Sequence, residues 1–329
     1  MPVRIGMISF AHMHAASYAA CVQSNPEAVL VGISDDDPER GKQMAEAYEC
    51  EYFGSDDAML AAEIDAVIIC TENALHRDAT RRAAAAGKHV MCEKPISISV
   101  EDAQAMIDAC TDAGVGLMTA FPCRYGPAYI EASRLVGEGE IGDILAMKGT
   151  NRGRNPGGWF VEPRLSGGGA TIDHTVHITD LMRDITGDEV ATVYCEMDRF
   201  FNPQLKCDDA GLITMDFTRG AIATLDCSWS RPPHYPTWGD ATLAVVGTTG
   251  NLWIDLFSER LHVYQNDASC YSWVGYGANL DYGLVDAFCD AVATGKPMPI
   301  TGHDGLRAME VALAAYQSAA LGEIVPLPL

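Results

Sequence analysis

The sequence predicts an α/β chain in two parts: an N-terminal doubly wound parallel sheet, then an α+β domain whose largely antiparallel open sheet is covered by helices. Three observations carry this. Up to about residue 121, short apolar runs alternate with helical stretches. Runs such as Ala66–Thr71 (AVIICT) are apolar without alternation, as strands covered on both faces must be. Beyond Phe121 the strands are joined by tight turns, among them Thr218-Arg219-Gly220 and Gly247-Thr248-Thr249-Gly250, which favours antiparallel neighbours. The domains expected are therefore 1–121 and 122–329.

In chain order, Val3–Ser9 is the first strand and Ala15–Ser24 the first helix. Ala28–Ser34 is a strand ending at Asp35-Asp36-Asp37-Pro38, where the proline suits a first helical turn and the aspartates the helix dipole. Glu39–Tyr48 is that helix. Ala66–Thr71, Lys88–Cys92 and Val115–Ala120 are further strands, with helices at Arg77–Ala86 and Ser99–Ala113. Ligands of such sheets bind at the carboxyl ends of the strands, which puts Ser9–His14, Asp35, Thr71–His76 and Glu93–Pro95 on one rim. The second part has a helix at Pro127–Val136. Strands follow at Asp143–Thr150, Val190–Asp198, Gly211–Thr218, Ala221–Trp229, Ala241–Val246, Asn251–Asp255 and Arg260–Tyr264. Helices at Ala170–Ile185, Leu280–Ala293 and Gly305–Ala320 are expected to cover that sheet.

The composition narrows the function. Among 329 residues, 22 Lys+Arg stand against 45 Asp+Glu, a net charge of −23, which argues against nucleic-acid or anionic-membrane partners. Only six of the cations are lysine, the balance of a protein soluble at high salt or of an acidic protein from a GC-rich genome. No run is long and apolar enough for a membrane helix, and the N-terminus lacks a signal-peptide pattern. Eleven cysteines without a C-x-x-C pair read as reduced thiols of a cytoplasmic protein, with Cys92 and Cys123 the candidates for a reactive one.

The motifs bear the chemistry. Asp173 and His177 are i and i+4, on one helical face, where a carboxylate can fix the imidazole tautomer. Gly167-Gly168-Gly169 before them lets the chain pass close to a ligand. Lys94, between Glu93 and Pro95, closes a strand at the ligand rim. With Thr71-Glu72-Asn73, His76, Arg124 at the domain crossing and Gly167–His177 in this order, the chain resembles the glucose–fructose oxidoreductase and inositol dehydrogenase (Gfo/Idh/MocA) family over nearly its whole length. The resemblance implies a dinucleotide-binding Rossmann domain followed by a domain for substrate binding and oligomerisation. It implies that Lys94 hydrogen-bonds the reacting oxygen, that Asp173 positions substrate and that His177 is the acid or base.

The family's G-x-G-x-x-G loop is altered here. Ser9, Ala11 and His14 replace all three glycines, with Phe10 and His12 between them. A position needing positive φ would then cost about 1–2 kcal/mol, although Ser9 and a helix N-terminus still offer donors to phosphate. Asp35 ends the second strand, where an acid binds ribose hydroxyls. With Asp36 and Asp37 it disfavours a 2′-phosphate, so NAD is preferred over NADP. The expected cofactor contacts are Ser9, Phe10, Ala11, His12, His14, Asp35, Thr71, Asn73, His76, Glu93, Lys94 and Arg124. The expected substrate contacts are Lys94, Arg152, Trp159, Asp173, His174 and His177.

The resemblance implies hydride transfer between NAD and a secondary hydroxyl or ketone of a sugar, inositol or related polyol, by a homodimer or homotetramer. Three readings compete with it. His12-x-His14, with His174 and His177, is a metal-ligand pattern of hydrolases and isomerases, although the second half lacks the strand–helix alternation of an eightfold barrel and no resident metal is expected. A redox-neutral glycoside-processing enzyme with tightly held NAD is another, and a non-catalytic ligand-binding relative the last.

Overall fold

Strands apolar on both faces need cover above and below, and the N-terminal part of the chain supplies it. The computed structural model describes residues 1–265 and 270–329. Val3–Ile8 (β1), Ala28–Ser34 (β2), Glu51–Phe53 (β3), Ala66–Ile69 (β4), His89–Cys92 (β5) and Leu117–Thr119 (β6) form a sheet in the order β3-β2-β1-β4-β5-β6. Every neighbouring pair in it is parallel. The connections are His14–Ser24 (α1), Pro38–Ala47 (α2), Asp56–Leu60 (α3), His76–Ala85 (α4) and Val100–Asp112 (α5). Ile5, Met7, Ile33, Ile68, Ile69 and Met91 are all but sealed from solvent. Strand order reverses between β1 and β4, and the loops leaving their carboxyl ends frame the ligand crevice of such sheets. Asp37 caps α2 by accepting from the backbone of Glu39 and Arg40, with Pro38 as its first residue. β3 and α3 lie outside the sequence expectation, being too short to show a period.

The second part begins with Pro127–Gly137 (α6) and Ile144–Thr150 (β7), then Pro163–Ser166 (α7) and Ala170–Thr186 (α8). Val190–Asp198 (β8), Ala210–Phe217 (β9), Ile222–Asp226 (β10), Thr242–Gly247 (β11) and Asn251–Asp255 (β12) follow. Arg260–Gln265 (β13) and Cys270–Gly275 (β14) pair as a separate antiparallel ribbon. The large sheet runs β12-β11-β7-β10-β9-β8-β15, with β15 at Val325–Pro326. It is antiparallel except where β10 runs parallel to β7. Ile178, Leu181 and Met182 of α8 pack with Val193, Ile213, Met215, Leu225 and Leu243 of the sheet. Gly149 permits this approach, since a Cβ there would lie 2.4 Å from Ile178 Cγ2. The other face leaves Leu145, Leu212, Ile222 and Trp253 exposed.

By contacts the chain divides into Met1–Pro122 with Leu280–Leu306, and Cys123–Asn279 with Arg307–Leu329. Leu280–Thr294 (α9) thus belongs with the first unit, and Asn25 Nδ2 donates to its Asp286 at 2.9 Å. The sequence expectation had this helix covering the antiparallel sheet. Its apolar stripe of Leu284, Val285 and Phe288 predicts a buried face but carries no information on which sheet buries it. Gly302–Leu321 (α10) ends in the second unit. Among the described residues, no helix is long and apolar enough to cross a membrane.

Candidate active site

The loop after β1 takes the place of the glycine loop, and its strain falls on one residue. Ser9 has φ +67°, so it bears the cost expected of a non-glycine there, while Ala11 and His14 avoid positive φ. Compensation is local. Ser9 N donates to Ser34 O at 2.7 Å, and Ser9 Oγ accepts from Ala11 N at 3.1 Å. Phe10 is nearly buried beside Tyr48, their ring centroids 5.9 Å apart.

Phe10 N also donates to Asp35 Oδ2 at 2.7 Å, tying the loop to the end of β2. Arg40 closes on the same carboxylate, Nε to Oδ2 at 2.9 Å and Nη2 to Oδ1 at 2.6 Å, and reaches Asp36 at 2.9 Å. Burial opposes the Asp35 charge, but Arg40 and the backbone N–H groups of Asp37 and Phe10 hold its carboxyl below the usual range. Asp35 and Asp36 are therefore partly neutralised by Arg40, which reduces their repulsion of a 2′-phosphate. Ser9, Asp35, Thr71 and Asp78 line a cavity of about 460 Å³ at the carboxyl ends of β1, β2 and β4. An acid at the end of β2 beside this cavity fits the adenosine ribose of a dinucleotide, while the loop N–H groups of Ser9, Phe10, Ala11, His12 and His14 are spent within the protein.

Glu93 and Lys94 leave β5 into the same rim and are both buried, at 0% and 3% exposure. Glu93 Oε1 lies 3.3 Å from His14 Nδ1 and 3.9 Å from His12 Nε2. Burial alone would raise the Glu93 carboxyl, yet His12, His14 and Lys94 hold it far below the ordinary value. Burial likewise opposes charge on His14, but Glu93 raises its pKa. His12, His14 and Glu93 bring their ligand atoms within 4.8 Å of one another, the constellation behind the metal reading. The tautomer decides against it in this arrangement. His12 Nδ1 accepts from the backbone N–H of His14 at 3.2 Å, so the proton of a neutral ring sits on Nε2, the atom facing Glu93. A metal on that nitrogen would need the opposite tautomer.

The remaining rim residues are supports. His76 is fully buried, Nδ1 3.0 Å from Pro95 O and Nε2 3.3 Å from Thr71 O, and burial lowers its pKa. It fastens the loop after β4 to the segment after Lys94. Asn73 is buried, and Thr71 lines the cavity. Cys92 is sealed beneath, and burial pushes its thiol far up, which removes it as a nucleophile.

In the second unit, α8 presents Asp173, His174 and His177, all buried. Trp229 Nε1 donates to Asp173 Oδ2 at 3.1 Å, and His174 Nε2 lies 3.4 Å from the same oxygen. Cys123 Sγ is 3.9 Å from His177 Nδ1. Trp229, which touches the candidate residue Asp173, was not singled out by the sequence. It follows β10 with no motif around it, and only the fold brings it to Asp173.

The glycine run has a protein partner. A Cβ on Gly169 would stand 1.9 Å from Asp208 O, and one on Gly168 2.1 Å from Tyr316 Oη. Asp208 caps α8, accepting from Gly169 N at 3.0 Å and Thr171 N at 2.8 Å, and Tyr316 donates to it at 2.6 Å. The run was expected to admit a ligand; in the folded chain it admits Asp208.

Arg124 is also placed differently from expectation. Nε donates to Asp180 Oδ2 at 2.7 Å, Nη2 to Asp180 Oδ1 at 2.6 Å and Nη1 to Asp184 at 2.8 Å. That spends its fork inside the second unit. Arg152 is clamped by Asp240, through Nη2 at 2.8 Å and Nε at 3.0 Å. Trp159 stacks on Phe160, centroids 3.9 Å apart.

Both halves of the chain match known proteins. A family profile described as an oxidoreductase family with an NAD-binding Rossmann fold matches residues 3–121, and that of the GFO/IDH/MocA C-terminal domain matches residues 129–253. The uncharacterised oxidoreductase YrbE of Bacillus subtilis (strain 168) is 31% identical over 309 residues, 90% of this chain and 89% of that protein. The inositol 2-dehydrogenase of Rhizobium meliloti (strain 1021) is 28% identical over 338 residues, 97% of this chain and 98% of that one. The crystal structure of GenD2 from gentamicin A biosynthesis in complex with NAD superposes with a TM-score of 0.91 at 25% identity, covering 100% of this chain and 97% of that one. The motifs, the two sheets and these matches agree: the chain belongs to the Gfo/Idh/MocA family of oxidoreductases.

Proposed function

We propose that the protein is an NAD-dependent dehydrogenase that oxidises a secondary hydroxyl of a sugar, inositol or related polyol, or reduces the matching ketone. The observation that carries this is the rim of the first sheet, where buried Lys94 and the Asp35 cavity share the carboxyl ends of the parallel strands. The polyol class rests on relatives such as the inositol 2-dehydrogenase.

When bound, the nicotinamide supplies the hydride acceptor. The chain supplies the rest. A secondary alcohol gives up its hydride only as its proton leaves, so a base is required, and His177 is the residue assigned to it. The Lys94 ammonium stabilises the negative charge that develops on the oxygen. Asp173, steadied by Trp229, accepts from a neighbouring substrate hydroxyl and sets the sugar's orientation.

Two coarser features belong to this reading. The apolar outer face of the large sheet, with Leu212, Ile222 and Trp253, is assigned to a second copy of the chain in a homodimer or homotetramer. The ten cysteines whose side chains are described are free thiols, which supports a cytoplasmic location.

The test is NAD reduction by the purified protein with a panel of inositols and aldoses, beside direct cofactor binding. Turnover with at least one polyol is expected, falling roughly 100-fold or more in Lys94→Ala and His177→Ala. Absence of both cofactor binding and turnover across the panel overturns the reading.

A further inference from the structure

The His14–Glu93 contact stands where a glycine loop has no ionisable group, and the reaction proposed above releases one proton each time the cofactor is reduced. His14 is the first residue of α1, and its side chain is 32% exposed, while the Glu93 carboxylate behind it is fully buried. One nitrogen of the imidazole is thus held by a buried carboxylate, while the ring keeps part of its surface in solvent. This is the arrangement by which a carboxylate fixes a histidine tautomer: Nδ1–H to Glu93, with Nε2 as the basic nitrogen.

Burial opposes charge on the ring, and the carboxylates around it outweigh that and raise its pKa. The N-terminus of α1 and Lys94, after β5, drive a proton off it. Glu93, after β5, and Asp281, on α9, hold the proton on. The other facing groups do not compete. His12, in the loop, spends Nδ1 on the His14 backbone. Tyr18 on α1, edge-on to His14 at 5.9 Å, and Cys70 after β4 are both pushed by burial well above their ordinary values and stay neutral.

We propose, resting on the dehydrogenase reading, that the His14–Glu93 pair is a proton store coupled to the redox state of the cofactor. In the oxidation direction the substrate C–H bond breaks with its electron pair passing to the nicotinamide. The O–H bond breaks as His177 takes the proton, the carbonyl forms, His177 releases the proton to solvent, and His14 Nε2 binds one in exchange. Alcohol, oxidised cofactor and neutral His14 thereby become ketone, reduced cofactor and imidazolium. The coupling is electrostatic. The oxidised nicotinamide ring is cationic and opposes a charged His14, the reduced ring is neutral, and the pyrophosphate common to both cancels in the comparison.

The test is binding, without turnover. NADH affinity is read by its fluorescence and NAD affinity by competition. The preference for NADH over NAD should grow roughly tenfold from about pH 9 to about pH 6, one charge pair being worth about one pKa unit. His14→Gln, which keeps a donor for Glu93 but cannot titrate, should flatten that slope. As a measurement independent of any variant, displacing NAD by NADH from the unaltered protein in weak buffer with a pH indicator should take up protons. A pH-independent preference, a slope retained in His14→Gln, or no proton uptake overturns the proposal while leaving the dehydrogenase reading intact. Failure of both cofactors to bind overturns that reading and this one with it.

Discussion

Arg40 holds Asp35 with both branches of its guanidinium, at 2.9 and 2.6 Å, and so places a cation where the sequence showed only three successive carboxylates. The pair bears on which cofactor the protein prefers. Asp35 follows β2, at the position proposed for ribose binding, and keeps Arg40 engaged. In Asp35→Ser the guanidinium is freed to meet a 2′-phosphate, and one close charge pair near a protein surface is worth about 1–4 kcal/mol. The ratio of NADP to NAD affinity should therefore rise roughly tenfold or more, measured by titration of both cofactors. An unchanged ratio would mean that Asp35 has no part in the choice.

The His14–Glu93 pair also makes stability depend on pH, and the two partners act at opposite ends. Glu93 is held below its ordinary value, so its contribution is present above the unfolded pKa of about 4.3 and is lost as pH falls through the folded value. His14 is raised, so its contribution is full below about pH 6.5 and is lost as pH rises through the folded value. Denaturant midpoints across pH should peak between these limits. Glu93→Gln should remove the decline on the alkaline side; a decline of equal size in that variant would assign it to other groups.

Trp229 meets Asp173 across 56 positions of sequence, through a hydrogen bond of 3.1 Å. Phenylalanine fills most of the same volume but has no Nε1–H. Trp229→Phe should lower kcat roughly tenfold and raise KM, with a stability change of about 1–2 kcal/mol or less. Loss of activity only in proportion to loss of folded protein would make Trp229 a packing residue.

Much of the fold was legible because its signals are local and periodic. β4 is an unbroken apolar run, AVII, and β9 alternates buried and exposed along its length as a one-sided strand should. Asp173, His174 and His177 were legible because one helical face needs only spacing. What escaped notice depends on long-range contact. Trp229, Asp208 and Tyr316 lie in segments with no motif, and each acquires its role from a partner far along the chain. The Asp180 and Asp184 partners of Arg124 were not legible for the same reason: an arginine near a domain crossing suits a ligand as well as it suits Asp180.

Gly169 separates the two meanings of the glycine run. A methyl at that position meets Asp208 O at 1.9 Å, backbone that has no easy retreat because Asp208 caps α8. Gly169→Ala should cost about 2–4 kcal/mol in chemical denaturation, by overpacking together with a lost cap. Asp208→Asn, which keeps the acceptor and loses the charge opposite the helix dipole, should cost about 1 kcal/mol. If Gly169→Ala keeps full stability and loses only substrate affinity, the run serves a ligand after all.

Arg124 allows its two roles to be told apart. Its fork lies on Asp180, whose side chain has 0% exposure, and continues to Asp184, which also accepts from Tyr129 at 2.5 Å. Removing the guanidinium leaves a buried carboxylate without its charge partner, a loss of about 3–5 kcal/mol. Arg124→Ala should show that loss in denaturant unfolding. Replacing both partners, Arg124→Met with Asp180→Leu, should recover a large part of it, because the cost lies in the orphaned charge more than in the missing bond. NAD affinity of the folded double variant should match that of the parent, since these donors are spent on aspartates. A tenfold fall in NAD affinity, with stability recovered, would return Arg124 to the cofactor.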